Sequence, residues 1–432
     1  MKETKKLKYL IIFSLVIIIA IIIAIIMLKV KNKEEQKMLF TPQDKEGIEY
    51  QQSIELERYE FNYVTNAIQA YIDYANKNNS SYYGSSGKVI EENEILYELL
   101  SDNYIKNNNI TTKNIEEKIK KYEEKMVFIP IHIKRIKRED ISIFIAEGIV
   151  ENLNYEKTSV ERYIVYIEPS TMLFAIEPSK EKYENLENNI QQIEKIEEKQ
   201  YNKIKSVQVN LENISNKYYV DFKRLCLSLP EVAYQYLDKE YKEARFGNLE
   251  NFKQYIEKNK DDIKKYAFNK YQSNMYEDYI EYICLDQYQN YYIFKENKIL
   301  DYTVKLDTYT IITEKFKQEY DKSKDQNKVI MNADKWIQML NNRDYTAAYN
   351  VLDQNFRNNK FGTVEQFENY MRENYPLHYK SQYSDFTEER GTYTLDISLS
   401  DITGEDKNEK QITLIMQLKE NYEFVMSFDV TQ

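Results

Sequence analysis

One passage of the sequence is written twice, and this repetition constrains the fold more than any other feature. The copies begin at Ala233 and Ala348, 115 residues apart. They read AYQYLDKEYKEARFGNLENFKQYIEKN and AYNVLDQNFRNNKFGTVEQFENYMREN. Similar text at a fixed offset predicts similar structural units in tandem. The chain is therefore expected to be an array of related domains.

Each copy predicts two helices. In the first half of each copy, the apolar residues recur with the spacing of one helical face. These residues are Ala233, Tyr236, Leu237 and Tyr241 in one copy and Ala348, Val351, Leu352 and Phe356 in the other. A second apolar face follows in both copies, formed by Phe252, Tyr255 and Ile256 and by Phe367, Tyr370 and Met371.

A Phe-Gly pair separates the two predicted helices. The pairs are Phe246-Gly247 and Phe361-Gly362, followed by Asn248 and Thr363. Glycine adopts the left-handed conformation that closes many helices, and an Asn or Thr side chain accepts hydrogen bonds from the free amides that open the next helix. The pair is therefore interpreted as a corner between helices and not as a ligand-binding motif.

The text after each copy alternates between apolar and polar residues, as the strands of a half-buried sheet do. The segments are DYIEYICLDQY, NYYIFKEN and ILDYTVKLDTYTII after the first copy, and GTYTLDISLSD, KQITLIMQLKE and YEFVMSFDV after the second. Short interruptions with Asn or Gly favour hairpins over parallel crossovers. Each unit is thus predicted to consist of two helices and an antiparallel meander.

A diverged third copy lies nearer the front of the chain, at an offset of 137 residues. This offset pairs Leu100 with Leu237 and Tyr104 with Tyr241, but Asn109-Ile110 replaces the Phe-Gly corner. Four strand-like segments follow, KMVFIPIHIKRI, DISIFIAEGIVENL, RYIVYIEP and TMLFAIEP. Three tandem units are therefore expected.

This order of elements resembles the nuclear-transport-factor-two-like superfamily, in which a cystatin-like cone packs two or three helices against a curved antiparallel sheet. In tandem on a single membrane anchor, the units resemble scaffold subunits of the conjugation and type IV secretion machines of Gram-positive bacteria. The resemblance implies an α+β fold of three cone domains and a role in protein–protein assembly.

An uncharged apolar run from Tyr9 to Leu28 is long enough to cross a bilayer. It exceeds the length of a signal-peptide core, and no small-residue cleavage site follows it. Lysines flank the run on both sides, with slightly more positive charge before it. This bias favours a single-pass protein of the cell membrane with a cytoplasmic amino terminus and its body outside.

The predicted fold class is α+β, with an amino-terminal transmembrane helix followed by three tandem cone domains. The predicted boundaries are a cytoplasmic tail over 1–8, a transmembrane helix over 9–28, a stalk over 29–55, a diverged first cone over 56–178, a polar linker helix with the second cone over 179–313, and a linker with the third cone over 314–432. Within the first linker, Tyr183 and Leu186 fall at helical spacing, so a helix packed on a neighbouring cone and a loose linker are both open.

The charge balance excludes one class of function. A net charge of −11 argues against general nucleic-acid binding, because such proteins cluster Lys and Arg against phosphates. The most basic segment, IHIKRIKRED, is interpreted as the solvated end of a hairpin and not as a nucleic-acid or lipid contact. The 41 Tyr residues indicate a folded body, since disordered tails are poor in aromatic residues.

Two acids are the candidates for a buried general base. Glu147 is in phase with Ile145 on one predicted strand, and Asp286 is in phase with Cys284 on another. Burial would raise the pKa of either carboxyl group. The preferred alternative is that each acid reaches water or pairs with a Lys or Tyr. The third unit offers only Asp396, on a polar strand face, so no catalytic set is shared between the units.

No catalytic, cofactor-binding or metal-binding residue is assigned. His132 and His378 lie in different units, and no His, Cys and Asp residues have metal-ligand spacing. Cys226 and Cys284 are interpreted as buried free thiols, and a disulfide between them stays open. Trp336 is expected to anchor the core of the third unit.

The sequence thus predicts a noncatalytic, membrane-anchored, extracytoplasmic scaffold or protein-binding protein in an envelope or DNA-transfer assembly. Its expected partners are the membrane, through residues 9–28, and other proteins, with no nucleic acid, metal or cofactor. The alternative is a cone that binds a small ligand or acts as an enzyme through Glu147 or Asp286.

Overall fold

The computed structural model describes residues 45–76, 82–83, 89–90, 92–138, 141–168, 170–191, 213–375, 378–404 and 407–431. The chain divides into two compact bodies, residues 1–59 and residues 60–432. The described part of the first body, residues 45–59, is helical. The second body contains three repeats, named here the first repeat (60–191), the middle repeat (213–313) and the third repeat (314–431).

Each repeat places helices before strands. The first repeat includes α1 (Lys45–Tyr74, from residue 60 onward), β1 (Tyr82–Tyr83), β2 (Val89–Ile90), α2 (Glu92–Leu99), α3 (Asp102–Asn108), α4 (Ile115–Lys118), β3 (Met126–Arg138), β4 (Ser142–Asn152), β5 (Thr158–Glu168), β6 (Leu173–Ser179) and α5 (Tyr183–Gln191). The middle repeat contains α6 (Ile214–Ser228), α7 (Pro230–Tyr236), α8 (Lys239–Arg245), α9 (Leu249–Lys258), α10 (Lys260–Lys265), β7 (Phe268–Met275), β8 (Ile280–Asp286), β9 (Tyr291–Lys298) and β10 (Asp301–Lys305). The third repeat contains α11 (Glu314–Lys322), α12 (Asp325–Asn341), α13 (Tyr345–Asn350), α14 (Gln354–Lys360), α15 (Val364–Asn374), β11 (Tyr379–Glu389), β12 (Thr392–Asp401), β13 (Lys410–Leu418), a short 3₁₀ helix (Glu420–Tyr422) and β14 (Phe424–Thr431).

The three four-stranded sheets are antiparallel meanders. Their strand orders are β3-β4-β5-β6, β7-β8-β9-β10 and β11-β12-β13-β14, so neighbours in sequence are neighbours in each sheet. The predicted order of helices followed by a meander is confirmed in all three repeats. The sequence prediction omitted β7 and β11, the first strands of the second and third sheets. Both are edge strands with mostly exposed residues, which is why their sequences lack an apolar face.

A recurring backbone bridge confirms the predicted alignment of the three copies. In each repeat a leucine between two helices pairs in parallel with the last strand, as Leu100 with Ile176, Leu237 with Val304, and Leu352 with Met426. The next residue caps the following helix through its side chain, and these caps are Ser101, Asp238 and Asp353. The bridge splits the helix predicted for the first half of each copy into two short helices.

The Phe-Gly corner is confirmed as a helix terminus. Gly247 and Gly362 have φ angles of 73° and 77°, in the left-handed region that glycine adopts without a steric penalty. The side chains of Asn248 and Thr363 then accept hydrogen bonds from amides of α9 and α15, at 3.0 and 3.2 Å. In the first repeat Asn109 supplies the left-handed residue, with a φ of 51°.

The helices cover one face of each sheet, and the first sheet is covered on both faces. Its outer face carries Ile143, Ile145 and Ile164, which pack with Leu186 of α5. The prediction had grouped α5 with the second cone, whereas the helix packs on the first sheet. In the third repeat Trp336 is fully buried and its Nε1 donates to the carbonyl of Ala348 at 3.2 Å, which confirms it as a core anchor.

The structure corrects the membrane part of the predicted fold. The predicted transmembrane helix over Tyr9–Leu28 lies outside the described residues. Across the described ranges, no helix is both long enough and apolar enough to span a membrane. Even the longest of these helices, α1, carries Glu55, Glu57 and Arg58 in its sequence. The predicted fold class, with its membrane anchor, and the predicted localisation in the cell membrane are therefore not carried further.

Candidate functional site

Glu147 on β4 contacts cationic or ring-nitrogen side chains of the two neighbouring strands of the first sheet. Its carboxylate forms an ion pair with Arg162 Nε at 2.5 Å and lies 3.3 Å from His132 Nδ1. All three residues face one another across β3, β4 and β5. The face is the outer one, where Ile145 lies under α5, so the in-phase apolar residues did not place Glu147 in the inner core. The expected alternative named water or a Lys or Tyr partner, whereas the partners of Glu147 are Arg162 and His132.

Asp286 is fully buried and organises the turn between β8 and β9. Its Oδ1 accepts from the amides of Tyr288 and Asn290 at 2.8 and 2.9 Å, and its Oδ2 accepts from Asn290 Nδ2 at 2.8 Å. Burial raises the pKa of Asp286 to about 6, although these hydrogen bonds act in the opposite direction. The carboxyl group is thus a structural acceptor whose donors belong to its own turn.

The remaining sequence candidates are also placed by the structure. Asp396 accepts a hydrogen bond from the Thr413 hydroxyl at 2.6 Å on the third sheet. Cys226 and Cys284 are both buried free thiols. Within the ranges that the structure describes, no group of three or more His, Cys, Asp or Glu side chains could hold a metal ion. The structure does not bring Glu147, Asp286 and Asp396 together, since each lies in a different sheet.

The sequence did not single out Glu161, a carboxylate of the first repeat that is surrounded by hydrogen-bond donors. Glu161 accepts hydrogen bonds from the hydroxyls of Tyr122 and Tyr163, both at 2.6 Å, and pairs with Lys120 Nζ at 2.5 Å. Burial alone would raise the pKa of Glu161, but hydrogen bonds from Lys120, Tyr122, Tyr163 and Ser159 outweigh it and the pKa is lowered. Strand alternation places position 161 on the same face of β5 as Tyr163 and Val165, so the sequence could have identified this acid.

The first and middle repeats are joined by a buried arginine. Arg224 of α6 forms an ion pair with Glu151 of β4, and both side chains are almost fully buried. The guanidinium also donates to the carbonyl of Asn152 at 3.1 Å and lies over the Tyr155 ring at 4.9 Å. Burial raises the pKa of Glu151, while Arg224 opposes that effect. This arginine therefore fixes α6 against the β4–β5 hairpin.

A second arginine joins the middle repeat to the third. Arg245 of α8 pairs with Asp344 at 2.7 Å through Nη1 and lies 3.6 Å from Asp307 through Nε. The hydroxyl of Tyr309 donates to Asp344 at 3.3 Å, and that of Tyr241 donates to Asp307 at 2.7 Å. The side chain of Arg245 is only 10% exposed. The equivalent residue in the third repeat is Lys360, so this junction depends on a difference between the copies.

Further polar contacts surround this second junction. The hydroxyl of Tyr255 donates to the carbonyl of Asn342 at 3.2 Å, and Lys258 pairs with Glu368 at 2.6 Å. The ring of His378 stacks on Tyr288, with the ring centroids 4.1 Å apart. Burial, and secondarily the charge of Arg343, lower the pKa of His378 to about 3, so this histidine is neutral at physiological pH.

Beside the Arg245–Asp344 pair lies a cleft of about 650 Å³, named here the junction cleft. Its exposed rim carries amide and hydroxyl side chains, namely Asn251, Gln254, Thr346 and Asn350. Its floor contains the buried residues Phe246, Tyr309 and Met339. Asn259 also lines the cleft, and its buried Oδ1 has no hydrogen-bond partner among the described residues. Neither Glu147 nor Asp286 lines this cleft.

No protein-family model and no curated protein matches the sequence. Its function must therefore be argued from the repeats, their junctions and the junction cleft.

Proposed function

We propose that this chain is a noncatalytic scaffold that binds another protein through the junction cleft. The observation that carries the proposal is the buried Arg245–Asp344 pair, which holds the two walls of the cleft in a fixed relation. A preformed groove lowers the ordering cost of binding, because the protein loses little freedom when the partner arrives.

The lining of the cleft supports a polypeptide as the occupant. Asn251, Gln254 and Asn350 offer both hydrogen-bond donors and acceptors at the rim, as the peptide group does. The aromatic and apolar floor supplies the apolar contact that protein interfaces bury at their centre.

The engaged state of the acids supports the noncatalytic part of the proposal. Glu147 and Glu161 are paired with cations, and Asp286 is held by three donors of its own turn. A general base must reach the proton of a substrate, which these groups would do only by giving up their present partners.

Site-specific photocrosslinking tests the proposal. A benzophenone side chain at Gln254, on the rim of the cleft, should capture one discrete partner protein in cells that express the chain natively. The matched control is the same group at Glu257, which is exposed on the same helix and does not line the cleft. Adducts of equal yield at both positions, or none at Gln254, would contradict the proposal.

A further inference from the structure

The two edge strands of each sheet differ in whether the helical segment of the same repeat pairs with them. The last strand of every sheet, β6, β10 or β14, forms a backbone bridge with the leucine that lies between two helices of the same repeat. The first strands, β3, β7 and β11, form the opposite edges. An edge strand with unpaired backbone groups readily pairs with another chain, and proteins block this with charges, proline or bulges.

Two of the three first strands carry such protection. The strand β3 contains Pro130, two irregularities in its pairing with β4 and a run of Lys and Arg near its end. The strand β11 has a bulge between Tyr383 and Phe386 and ends in Glu388 and Glu389. Both edges are thereby discouraged from pairing with a further strand.

The equivalent edge of the middle repeat, β7, lacks this protection over most of its length. Its sequence FNKYQSNM contains one charged residue, Lys270, and its single irregularity lies at the start, between Phe268 and Lys270. Residues 269–273 are all exposed. Tyr271 and Met275 are 44% and 47% exposed, although they stand opposite the buried residues of β8. Apolar side chains on the inner face of this sheet therefore continue to an edge that pairs with no other described strand, called here the free edge.

The hydrogen bonds of the hairpin fix which backbone groups point outward. The amide of Tyr276 donates to the carbonyl of Tyr279 at 2.9 Å, so these residues form a hydrogen-bonded pair at the hairpin end. Such pairs alternate along an antiparallel ladder. The N–H and C=O groups of Tyr271, Ser273 and Met275 must then point away from β8, toward the free edge.

We propose that β7 pairs with β7 of a second copy of this chain, antiparallel and around a two-fold axis at Ser273. This register joins the outward groups of Ser273 in the two copies and sets Tyr271 of each copy opposite Met275 of the other. It also brings Lys270 of one copy next to the acidic turn residues Glu277 and Asp278 of the other. The strand is thus complementary to itself in backbone, apolar surface and charge, as an isologous interface requires. The pairing goes beyond the proposed function and does not involve the junction cleft.

Disulfide trapping tests the register. In a hydrogen-bonded antiparallel pair the Cα atoms are about 5.5 Å apart, within the range that a disulfide spans. Ser273→Cys in the full chain should form a covalent dimer under mild oxidation, since the native Cys226 and Cys284 are buried. Ser384→Cys, at an exposed position of the protected strand β11, is the matched control. Equal dimer yields for the two variants would overturn the proposal.

A proline variant tests whether the edge itself causes association. Ser273→Pro removes an outward N–H group that takes no part in the β7–β8 ladder, so circular dichroism should show an intact fold. Sedimentation should give twice the chain mass of 52.1 kDa for the unmodified protein and the single mass for the variant. The variant also retains the apolar run from Tyr9 to Leu28, so association through that run would survive in it. Dimers that persist in Ser273→Pro, or an unmodified chain that stays monomeric, would refute the self-pairing.

Discussion

Arg224 of the middle repeat and Glu151 of the first repeat form an ion pair from which water is almost excluded, with side-chain exposures of 9% and 0%. Arg245 makes the corresponding contact to Asp344 of the third repeat. The middle repeat thus contributes one buried arginine to each of its two neighbours. These contacts make the three repeats one body with fixed junctions.

Removing the Arg224 guanidinium should destabilise the protein strongly. Arg224→Met leaves Glu151 buried without a cation, which typically costs about 3–5 kcal/mol. The double variant Arg224→Met/Glu151→Met should regain most of the lost stability, because it leaves no buried charge without a partner. Denaturant unfolding measures both. Lys253→Met, which breaks the exposed pair with Glu231, is the control and should cost about 1 kcal/mol or less.

Exchanging the residues at equivalent repeat positions should have unequal effects. Arg245→Lys loses the planar group that reaches both Asp344 and Asp307, so we expect a loss of roughly 1–3 kcal/mol and faster hydrogen exchange at the junction. The reciprocal change, Lys360→Arg, alters an exposed residue of the third repeat and should stay within about 0.5 kcal/mol. Similar losses in both variants would remove the distinction that the structure draws between the copies.

His378 should make the folded state sensitive to acid. The pKa of His378 is lowered to about 3 in the folded state, whereas an unfolded histidine titrates near its ordinary value of 6.5. Between these values only the unfolded chain binds this proton, so its contribution falls as pH drops, by up to about 1.4 kcal/mol per pH unit. When the free energy of unfolding is measured as a function of pH, His378→Gln should reduce its slope between pH 3 and 6.5.

The corner glycine should be needed for its backbone conformation alone. A Cβ atom on Gly247 would meet nothing closer than 3.9 Å, yet its φ of 73° is unfavourable for other residues. Gly247→Ala should therefore cost about 1–2 kcal/mol in thermal unfolding. Asn109→Gly in the first repeat, where asparagine already holds the left-handed conformation, should change stability much less. If the alanine variant were as stable as the parent, the left-handed conformation would not be what requires glycine at this corner.

Much of each repeat was readable from local sequence. The buried positions Ala233, Leu237 and Phe252 recur in the second copy, and a helical face is a local property of the chain. The break at Leu237 was not predicted, because it depends on pairing with Val304, which is distant in sequence. The edge strand β7 was missed because exposed strands need no apolar alternation.

The candidate site was less accessible to prediction than the fold. Alternation placed Glu147 correctly in phase with Ile145, but alternation does not tell the inner face of a sheet from an outer face covered by α5. The junction pairs Arg224–Glu151 and Arg245–Asp344 join residues that are far apart in sequence, and a single arginine in a helix carries no local signal of its partner. Only the difference between Arg245 and Lys360 at matched positions hinted at a special role.

The most direct test of the account is the distance between the outer repeats. Spin labels at Glu156→Cys in the first repeat and Glu388→Cys in the third, both exposed positions, allow this distance to be measured by double electron–electron resonance. When the labelled chain is diluted with unlabelled chain, so that paired copies add no distances, the account predicts one narrow distance distribution before any junction change and a broadened one after Arg224→Met. A broad or multi-peaked distribution before any junction residue is changed would contradict a scaffold whose repeats are fixed by buried arginines.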